Sequence, residues 1–186
     1  MKKATIGALS ALLLATLACS IFIGGPEYPA GPPPAATETG LSLQEQVKQA
    51  VTDAATTGTV SVKLSEGQLT SYLAAKLAEQ PNPLFSDPRV YLRNGEMKIY
   101  GRATSGIFTA NISMTVQATV DPQGQPQISV TQTDFGPLAA PQGLNEATTA
   151  FIQEAFTGWL GPVATGFRLD HIDIGDGVMT VTGRIK

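Results

Sequence analysis

The stretch IFTANISMTVQATV, residues 107–120, decides the fold of this chain. From Phe108 to Val120 the even-numbered residues are apolar and the odd-numbered residues are polar. Successive side chains of a strand point to opposite sides, so this alternation predicts one β-strand with an apolar face and a polar face. At about 3.3 Å per residue the strand is roughly 40 Å long, about twice the usual length. We therefore expect a long, curved sheet whose apolar face other elements must cover.

The segments around this strand predict further strands joined by turns. Residues 121–126 turn the chain back, and residues 128–135 return as an antiparallel partner. The dipeptides at 94–95 (Asn-Gly) and 176–177 (Asp-Gly) are typical of tight hairpin turns, each between two short alternating segments. A further short strand is predicted at residues 59–64.

Three segments predict helices. The first spans residues 43–56, and the second follows a capping box at Ser65 and ends near Ala78. The third has Asn145 as its N-cap and is apolar around much of its circumference, as a buried helix is. The predicted fold class is α+β: a long curved antiparallel sheet packed on two principal helices, plus a peripheral N-terminal helix.

One short pattern occurs twice. NGEMKIYGR, residues 94–102, aligns with DGVMTVTGR, residues 176–184, and each segment follows a helix and a strand. The match indicates either a repeated helix–hairpin unit on both sides of the central hairpin, or two unrelated hairpins that share a turn glycine and alternation.

Residues 1–19 have the pattern of a targeting segment. Lys2 and Lys3 precede an uncharged, mostly apolar run that extends from Thr5 to Leu17. Positive residues before such a run stay on the cytoplasmic side. The rest of the chain is therefore expected to be extracytoplasmic and anchored to the cell membrane.

The nature of the anchor depends on Cys19. The tetrapeptide TLAC, residues 16–19, resembles a bacterial lipobox, which implies cleavage before Cys19 and a lipid on its sulfur. The alternative is an uncleaved membrane anchor, because the apolar run continues through residues 21–23 and is just long enough to span a bilayer.

The rest of the chain divides into a linker and one domain. Residues 20–40 are rich in Pro and Gly and predict a semi-rigid, extended spacer. Residues 41–186 predict a single extracytoplasmic α+β domain. Because Cys19 is the only cysteine, we predict no intrachain disulfide and no cysteine metal cluster. The scattered basic residues and the net charge of -3 argue against a nucleic-acid partner.

Several motifs resemble one group of bacterial envelope proteins. A strand at 60–64 followed by SEGQLTSYL, residues 65–73, resembles the opening of the YpmS-type and LmeA-type extracytoplasmic proteins. GEMKIYG at residues 95–101 is similar to their glycine-bounded strand. Their later hairpin turn, the exit from the returning strand and the closing strands resemble residues 121–128, 134–138 and 172–183.

The layout as a whole also resembles that of small lipoproteins of Chloroflexota. The more distant relatives of these proteins form the tubular lipid-binding group, in which a curved antiparallel sheet wraps a long helix. The resemblance implies a groove between sheet and helix in which lipid lies.

The sequence offers little catalytic chemistry. His171 is the only histidine, and no serine has the setting of a nucleophile elbow. Asp170 falls on the opposite face of the predicted strand from His171, so it is badly placed to orient the imidazole. Asp170, Asp173 and Asp176 lack the spacing of a calcium loop. We predict no enzyme activity, no catalytic residue, no metal site and no cofactor.

The predicted function is therefore a membrane-tethered, non-enzymatic domain that binds a lipid or another apolar ligand between its sheet and its helices. The candidate ligand-binding side chains are large and apolar and lie on the central strand or on the second and third helices: Phe108, Ile112, Met114, Val116, Leu73, Phe151, Phe156 and Trp159. The alternative is that these side chains fill a solid core. The domain would then be a structural or protein-interaction module of the cell envelope, with a protein partner that the sequence does not identify.

Overall fold

The structure is a computed structural model that describes residues 20–30, 43–138 and 144–186. Within these residues the helices are α1 (Leu43–Thr57), α2 (Glu66–Ala78) and α3 (Leu144–Gly166). The strands are β1 (Ile21–Phe22), β2 (Thr59–Ser65), β3 (Ser86–Arg93), β4 (Glu96–Ser105), β5 (Phe108–Val120), β6 (Pro126–Asp134), β7 (Phe167–Ile174) and β8 (Val178–Ile185). The mixed fold with curled sheets and helices confirms the coarse prediction of fold class.

The central strand β5 has the predicted length and the predicted alternation. Its even-numbered side chains from Ala110 to Ala118 are buried, whereas most of the odd-numbered ones are partly or fully exposed. Ile112, Met114 and Val116 are each at most 1% exposed. Burial of a side chain of this size contributes about 1.5–3 kcal/mol, so the apolar face of β5 is a main source of stability.

The strands divide between two sheets, so the prediction of one long antiparallel sheet is wrong. In the five-stranded sheet β5 pairs with β4 on one edge and with β6 and β1 on the other, and β4 also pairs with β3. The pairing of β1 with β5 is parallel. β8 pairs with β2 and β7 in a separate three-stranded sheet, so both of its edges are occupied. The two sheets are joined at turns instead, for example by the Leu169 N–H, which donates to the Gly124 carbonyl at 3.1 Å.

Helix α2 begins with the predicted capping box. The Ser65 hydroxyl accepts the Gln68 backbone N–H at 3.2 Å, and the Gln68 side-chain oxygen accepts the Ser65 N–H at 3.0 Å. Leu69, Leu73 and Leu77 form the buried face of the helix. These side chains follow a helical spacing of four residues, which is why the sequence identifies the helix and its orientation.

The other two helices also match their predicted positions closely. α1 buries Leu43, Val47 and Ala54 in the same apolar core. α3 begins at Leu144, one residue before the predicted cap at Asn145, which is within the usual variation of helix boundaries. Phe151, Ile152 and Phe156 of α3 are buried in this core.

The two hairpins that share a sequence pattern also share a backbone irregularity. The β3–β4 pairing shifts register between Ser86 and Arg89, across from Gly101. The β7–β8 pairing shifts between Leu169 and His171, next to Gly183. A bulge brings the backbone of one strand close to its partner, and a glycine leaves room for that approach.

The arginine after each glycine pairs with an aspartate in the neighbouring bulge. Arg102 lies 3.5 Å from Asp87, and Arg184 lies 2.8 Å from Asp170. A shared turn and alternation would not explain these matching bulges and ion pairs. The structure therefore favours a repeated helix–hairpin unit over two unrelated hairpins.

Residues 20–30 lie along the sheet, which departs from the extended spacer predicted for residues 20–40. The Ile21 N–H donates to the Ile107 carbonyl at 2.7 Å, and the Asn111 N–H donates to the Gly24 carbonyl at 2.9 Å. The Asn111 side-chain amide donates to the Pro26 carbonyl at 3.3 Å. The segment pairs here because the first part of β5 leaves its outer edge free of β6, which joins only from Ser113. Residues 31–42 lie outside the described residues, as do residues 1–19.

No helix among the described residues is both long enough and apolar enough to cross a bilayer.

Candidate functional site

Most of the predicted ligand-binding side chains lie deep in the protein. Ile112, Met114 and Val116 of β5 meet Leu73 of α2 and Phe156 of α3 in one continuous apolar cluster. None of these five side chains is more than 2% exposed. The layer between sheet and helices is therefore occupied by the protein's own side chains at these positions.

The three remaining candidates have different surroundings. Phe108 is 43% exposed at the start of β5. Phe151 is buried, and its ring makes an edge contact with Phe85 at a centroid distance of 6.3 Å. Trp159 lies within α3, but its side chain lies outside what the structure describes. Whether these residues bind a ligand stays a prediction.

An apolar groove of about 550 Å³ lies between α2 and the beginning of β3. Its walls are mostly apolar and come from Ala74, Leu77, Ala78, Pro83, Phe85 and Pro88, with Thr70, Ser86, Asp87 and Arg89 completing the lining. Its volume is within the range of about 300–1,000 Å³ that is usual for small-ligand sites.

The groove arises from one row of residues on α2. The Glu66 carboxylate accepts the Leu92 N–H at 2.7 Å, and one turn later the Thr70 hydroxyl accepts the Val90 N–H at 2.9 Å. These two bonds hold the beginning of α2 against β3. The next two positions of the row, Ala74 and Ala78, have only methyl side chains, so the gap beside the start of β3 stays open.

The rim of the groove is charged. Asp87 and Arg89 line it, and Asp87 also pairs with Arg102. The guanidinium of Arg89 lies 4.9 Å from the centre of the Tyr28 ring, in a cation–π contact. Burial raises the pKa of the Tyr28 hydroxyl above its usual value, although Arg89 opposes this. An apolar floor with a charged rim suits an amphipathic ligand.

A smaller cavity of about 320 Å³ lies between α2 and α3. The Tyr72 hydroxyl donates to the Ala155 carbonyl across it at 2.9 Å, and Lys76 pairs with Glu79 at 2.8 Å. Burial raises the pKa of Tyr72. Because Tyr72, Lys76 and Glu79 already have partners within the protein, this cavity is a weaker candidate than the groove.

A third cavity, of about 700 Å³, lies where the β5–β6 turn meets β7 and β8. Its lining is mainly polar and includes the ion pair of Asp170 with Arg184. The Arg168 guanidinium donates to the Pro122 carbonyl at 2.7 Å. The Arg168 bond joins the two sheets, whereas the pair of Asp170 and Arg184 lies within the three-stranded sheet. Both contacts occupy polar groups of this cavity without a ligand.

The residues considered for catalysis or metal binding are dispersed. His171 is 70% exposed, and its Nε2 lies 3.8 Å from the Asp173 carboxylate. Asp170 pairs with Arg184, and Asp176 accepts the Asn94 backbone N–H at 3.3 Å. In the part of the chain that the structure describes, no three His, Cys, Asp or Glu side chains form a group that could hold a metal ion.

The groove was not predicted from the sequence, because its lining comes from a helix and a loop whose contact no local pattern specifies. Phe85 belongs to a proline-rich loop, NPLFSDP at residues 82–88. Two large apolar residues between prolines do indicate a loop that packs against the core. The sequence also shows that Glu66, Thr70, Ala74 and Ala78 lie on one row of a helix. It does not show that this row packs against β3.

No family model and no curated protein matches this chain. Among solved structures, the crystal structure of lipopolysaccharide binding protein matches 69% of the chain at 11% identity, with a TM-score of 0.34. The chain spans about half of that protein, with 50% of its length covered. A likeness this distant carries no argument about the function of this chain.

Proposed function

We propose that this protein is a membrane-tethered, non-enzymatic extracytoplasmic domain that binds a lipid acyl chain or a similar apolar ligand in the groove between α2 and β3. The targeting pattern of residues 1–19 supports the tether. The tether that we propose is a lipid on Cys19, and the alternative is an uncleaved membrane anchor. This groove adjoins the filled layer beneath β5, where the sequence predicted the ligand.

The observation that carries the proposal is the 550 Å³ groove with apolar walls and a charged rim. An acyl chain that packs on Leu77, Pro83 and Phe85 would bury apolar surface of both the ligand and the protein. This burial contributes a favourable free energy of about 25 cal/mol per Å² of apolar surface. The groove needs no rearrangement of the core, because α2 and β3 already hold it open.

The test is a photo-crosslinker placed in the groove of the full chain in its own membrane. Ala74 is replaced by benzoylphenylalanine and the cells are irradiated. The purified protein is then examined by mass spectrometry for covalent adducts. Ala75 is the matched control, because it is also exposed on α2 but does not line the groove. We expect lipid adducts from position 74 and few from position 75.

Equal adduct yields at the two positions would contradict a site in the groove, since they would reflect only the nearby bilayer. A groove-filling variant gives a second readout. Ala74→Trp should reduce the lipid that co-purifies with the protein, whereas Ala75→Trp should leave it unchanged.

A second function is supported by the filled layer beneath β5. Ile112, Met114 and Phe156 occupy the space in which a ligand was predicted, as they would in a structural or protein-interaction module with a solid core. The same crosslinking experiment addresses it. A single protein adduct at position 74, in stoichiometric yield and without lipid adducts, would favour this second function.

A further inference from the structure

Four large apolar side chains lie exposed together at one end of the five-stranded sheet. Ile21 and Phe22 of β1 are 48% and 56% exposed, and Ile107 and Phe108 at the β4–β5 turn are 56% and 43% exposed. Ile21 and Phe108 are register partners, and the Ile21 N–H donates to the Ile107 carbonyl. We call these four residues the tip patch.

Two of the four side chains, Phe108 and its register partner Ile21, lie at the end of the apolar face of β5. Phe108 has the same parity as Ile112 and Met114, so it lies on the face that the helices cover further along the strand. At Phe108 the helices no longer cover this face, and the side chain is exposed. Surface apolar residues that occur singly need no explanation, but a contiguous patch of them indicates an interaction site.

The two chain segments that carry the tip patch contain no charged residue. Residues 103–120 contain no Asp, Glu, Lys or Arg, and neither do residues 20–26. The polar residues next to the turn are uncharged and include Ser105 and Thr109. A surface of this kind can leave water without the cost of desolvating an ion, which is several kcal/mol per ion even in real proteins.

The chain itself indicates what the tip patch meets. Ser20 precedes β1 directly, and before it come Cys19 and the apolar run that ends at Leu17. Ile21 is held in the sheet by its bond to Ile107, so the membrane-attached segment begins within two residues of the tip patch. No long spacer separates the two.

We propose that the tip patch inserts into the outer surface of the bilayer, so that the β4–β5 turn points into the membrane. This inference rests on the proposed membrane tether and goes beyond it, because a tether alone leaves the domain free to rotate. Apolar side chains of this size bury favourably at the boundary between headgroups and acyl chains. The protein would then contact the membrane at two linked points, the lipid or anchor at residue 19 and the tip patch. Because the first contact holds the second close to the bilayer, the two together bind the membrane more tightly than either alone.

This orientation brings the groove to the membrane. Ser86 lines the groove and pairs with Arg102, three residues before the end of β4 at Ser105. Three residues of strand span about 10 Å. The groove therefore lies close to the lipid surface, where an acyl chain could enter it without crossing much water.

The test uses the full chain in phosphatidylcholine–phosphatidylglycerol vesicles with the fluorophore NBD on a single introduced cysteine. The first variant is Ile107→Cys, in the tip patch. The matched control is Val178→Cys, because Val178 is also a large exposed apolar residue, at 41% exposure. It lies beside the Asn94–Gly95 turn at the other end of β4, about 30 Å away along the strand. The wild-type chain, treated in parallel, gives the background from Cys19.

We expect the label at position 107 to show a blue-shifted emission, strong quenching by doxyl-labelled lipid and loss of quenching by aqueous iodide. The label at position 178 should behave in the opposite way. Aqueous behaviour at both positions in a chain that stays with the vesicles would overturn the inference and leave the tether and the groove standing. A chain that remains in the soluble fraction would overturn the tether, and the inference with it.

Discussion

The backbone N–H of Gly177 donates to the carbonyl oxygen of Leu92 at 2.9 Å, which joins the turn of the β7–β8 hairpin to the end of β3. Two further bonds support this contact. The Asn94 N–H donates to the Asp176 carboxylate at 3.3 Å, and the Glu66 N–H donates to the Gly177 carbonyl at 3.3 Å. The turns of the two repeated hairpins and the start of α2 therefore form one junction between the two sheets.

Gly177→Ala should destabilise the protein through its backbone conformation. Gly177 has a φ of 83°, and an added Cβ would meet nothing within 4 Å, so the cost is conformational rather than steric. A left-handed conformation costs a residue with a side chain about 1–2 kcal/mol. Urea unfolding should show a loss of this size in the free energy of unfolding. Gly175→Ala is the control, because Gly175 has no positive φ and its added Cβ would make only an ordinary contact at 3.6 Å. Equal losses in both variants would contradict the conformational explanation.

Gly183→Ala should destabilise the protein for a steric reason. Gly183 lies in β8 beside the bulge of β7, and an added Cβ would lie 2.7 Å from the Arg168 carbonyl oxygen. Because that neighbour is backbone, the two strands must separate, at a cost of about 1–3 kcal/mol as in other overpacked sites. Gly166→Ala is the control, since an added Cβ there meets nothing within 4 Å. Thermal unfolding of the two variants measures the difference, and an unchanged midpoint for Gly183→Ala would argue against the close approach.

The pair of Asp170 and Arg184 gives the protein a defined dependence on pH. The two hydrogen bonds from Arg184, at 2.8 and 2.9 Å, hold the pKa of the Asp170 carboxyl below its ordinary value. A carboxyl whose pKa is lower in the folded state adds stability above its unfolded pKa, and this stability is lost as the pH falls through the folded pKa. In Arg184→Gln the pKa of Asp170, followed by NMR, should rise towards about 3.9. The stability difference between wild type and variant should be largest at neutral pH and should shrink as the pH falls through the range below the ordinary aspartate pKa of about 3.9. A difference that stays constant over this range would show that Arg184 acts through packing instead.

The elements that the sequence predicts well are those with local signals. The alternation of β5, the capping box of Ser65 and Gln68, and the turn glycines Gly95 and Gly177 depend on neighbours in the chain. The ends of these elements were placed within a few residues. The α1 helix, for example, was predicted at residues 43–56 and spans Leu43–Thr57.

The features that the sequence did not predict depend on contacts between distant segments. No local pattern specifies that β8 pairs with β2, and so none predicts the separate three-stranded sheet. The groove requires Ala74 and Ala78 to face Ser86 and Pro88, and their distance depends on how α2 is held on β3. Ile21–Phe22 looked like the end of a membrane segment because apolar residues suit both a bilayer and a strand.

The segment 20–30 provides the last prediction, because Gly25 lies against β5 where a side chain has no room. Gly25 has a φ of 118°, and an added Cβ would collide with the backbone of Asn111. Gly25→Ala should therefore detach this segment from β5 while the rest of the sheet remains folded. Hydrogen exchange should speed up at the amides of Ile23 and Asn111, which donate to Thr109 and Gly24 respectively. The amides between β4 and β5 should keep their protection.

Gly24→Ala is the control that distinguishes backbone strain at a positive φ from a steric clash of the added Cβ. Gly24 also has a positive φ, of 100°, but an added Cβ there meets nothing within 4 Å. It should therefore loosen the segment less than Gly25→Ala does. If both variants keep the wild-type exchange at Ile23 and Asn111, the segment does not depend on its contact with β5. If Gly25→Ala exposes the amides of the whole sheet, the segment is part of the global folding unit. A selective loss at these two amides would show that residues 20–30 form a separate strap whose attachment to β5 holds Ile21 and Phe22 beside Ile107 and Phe108.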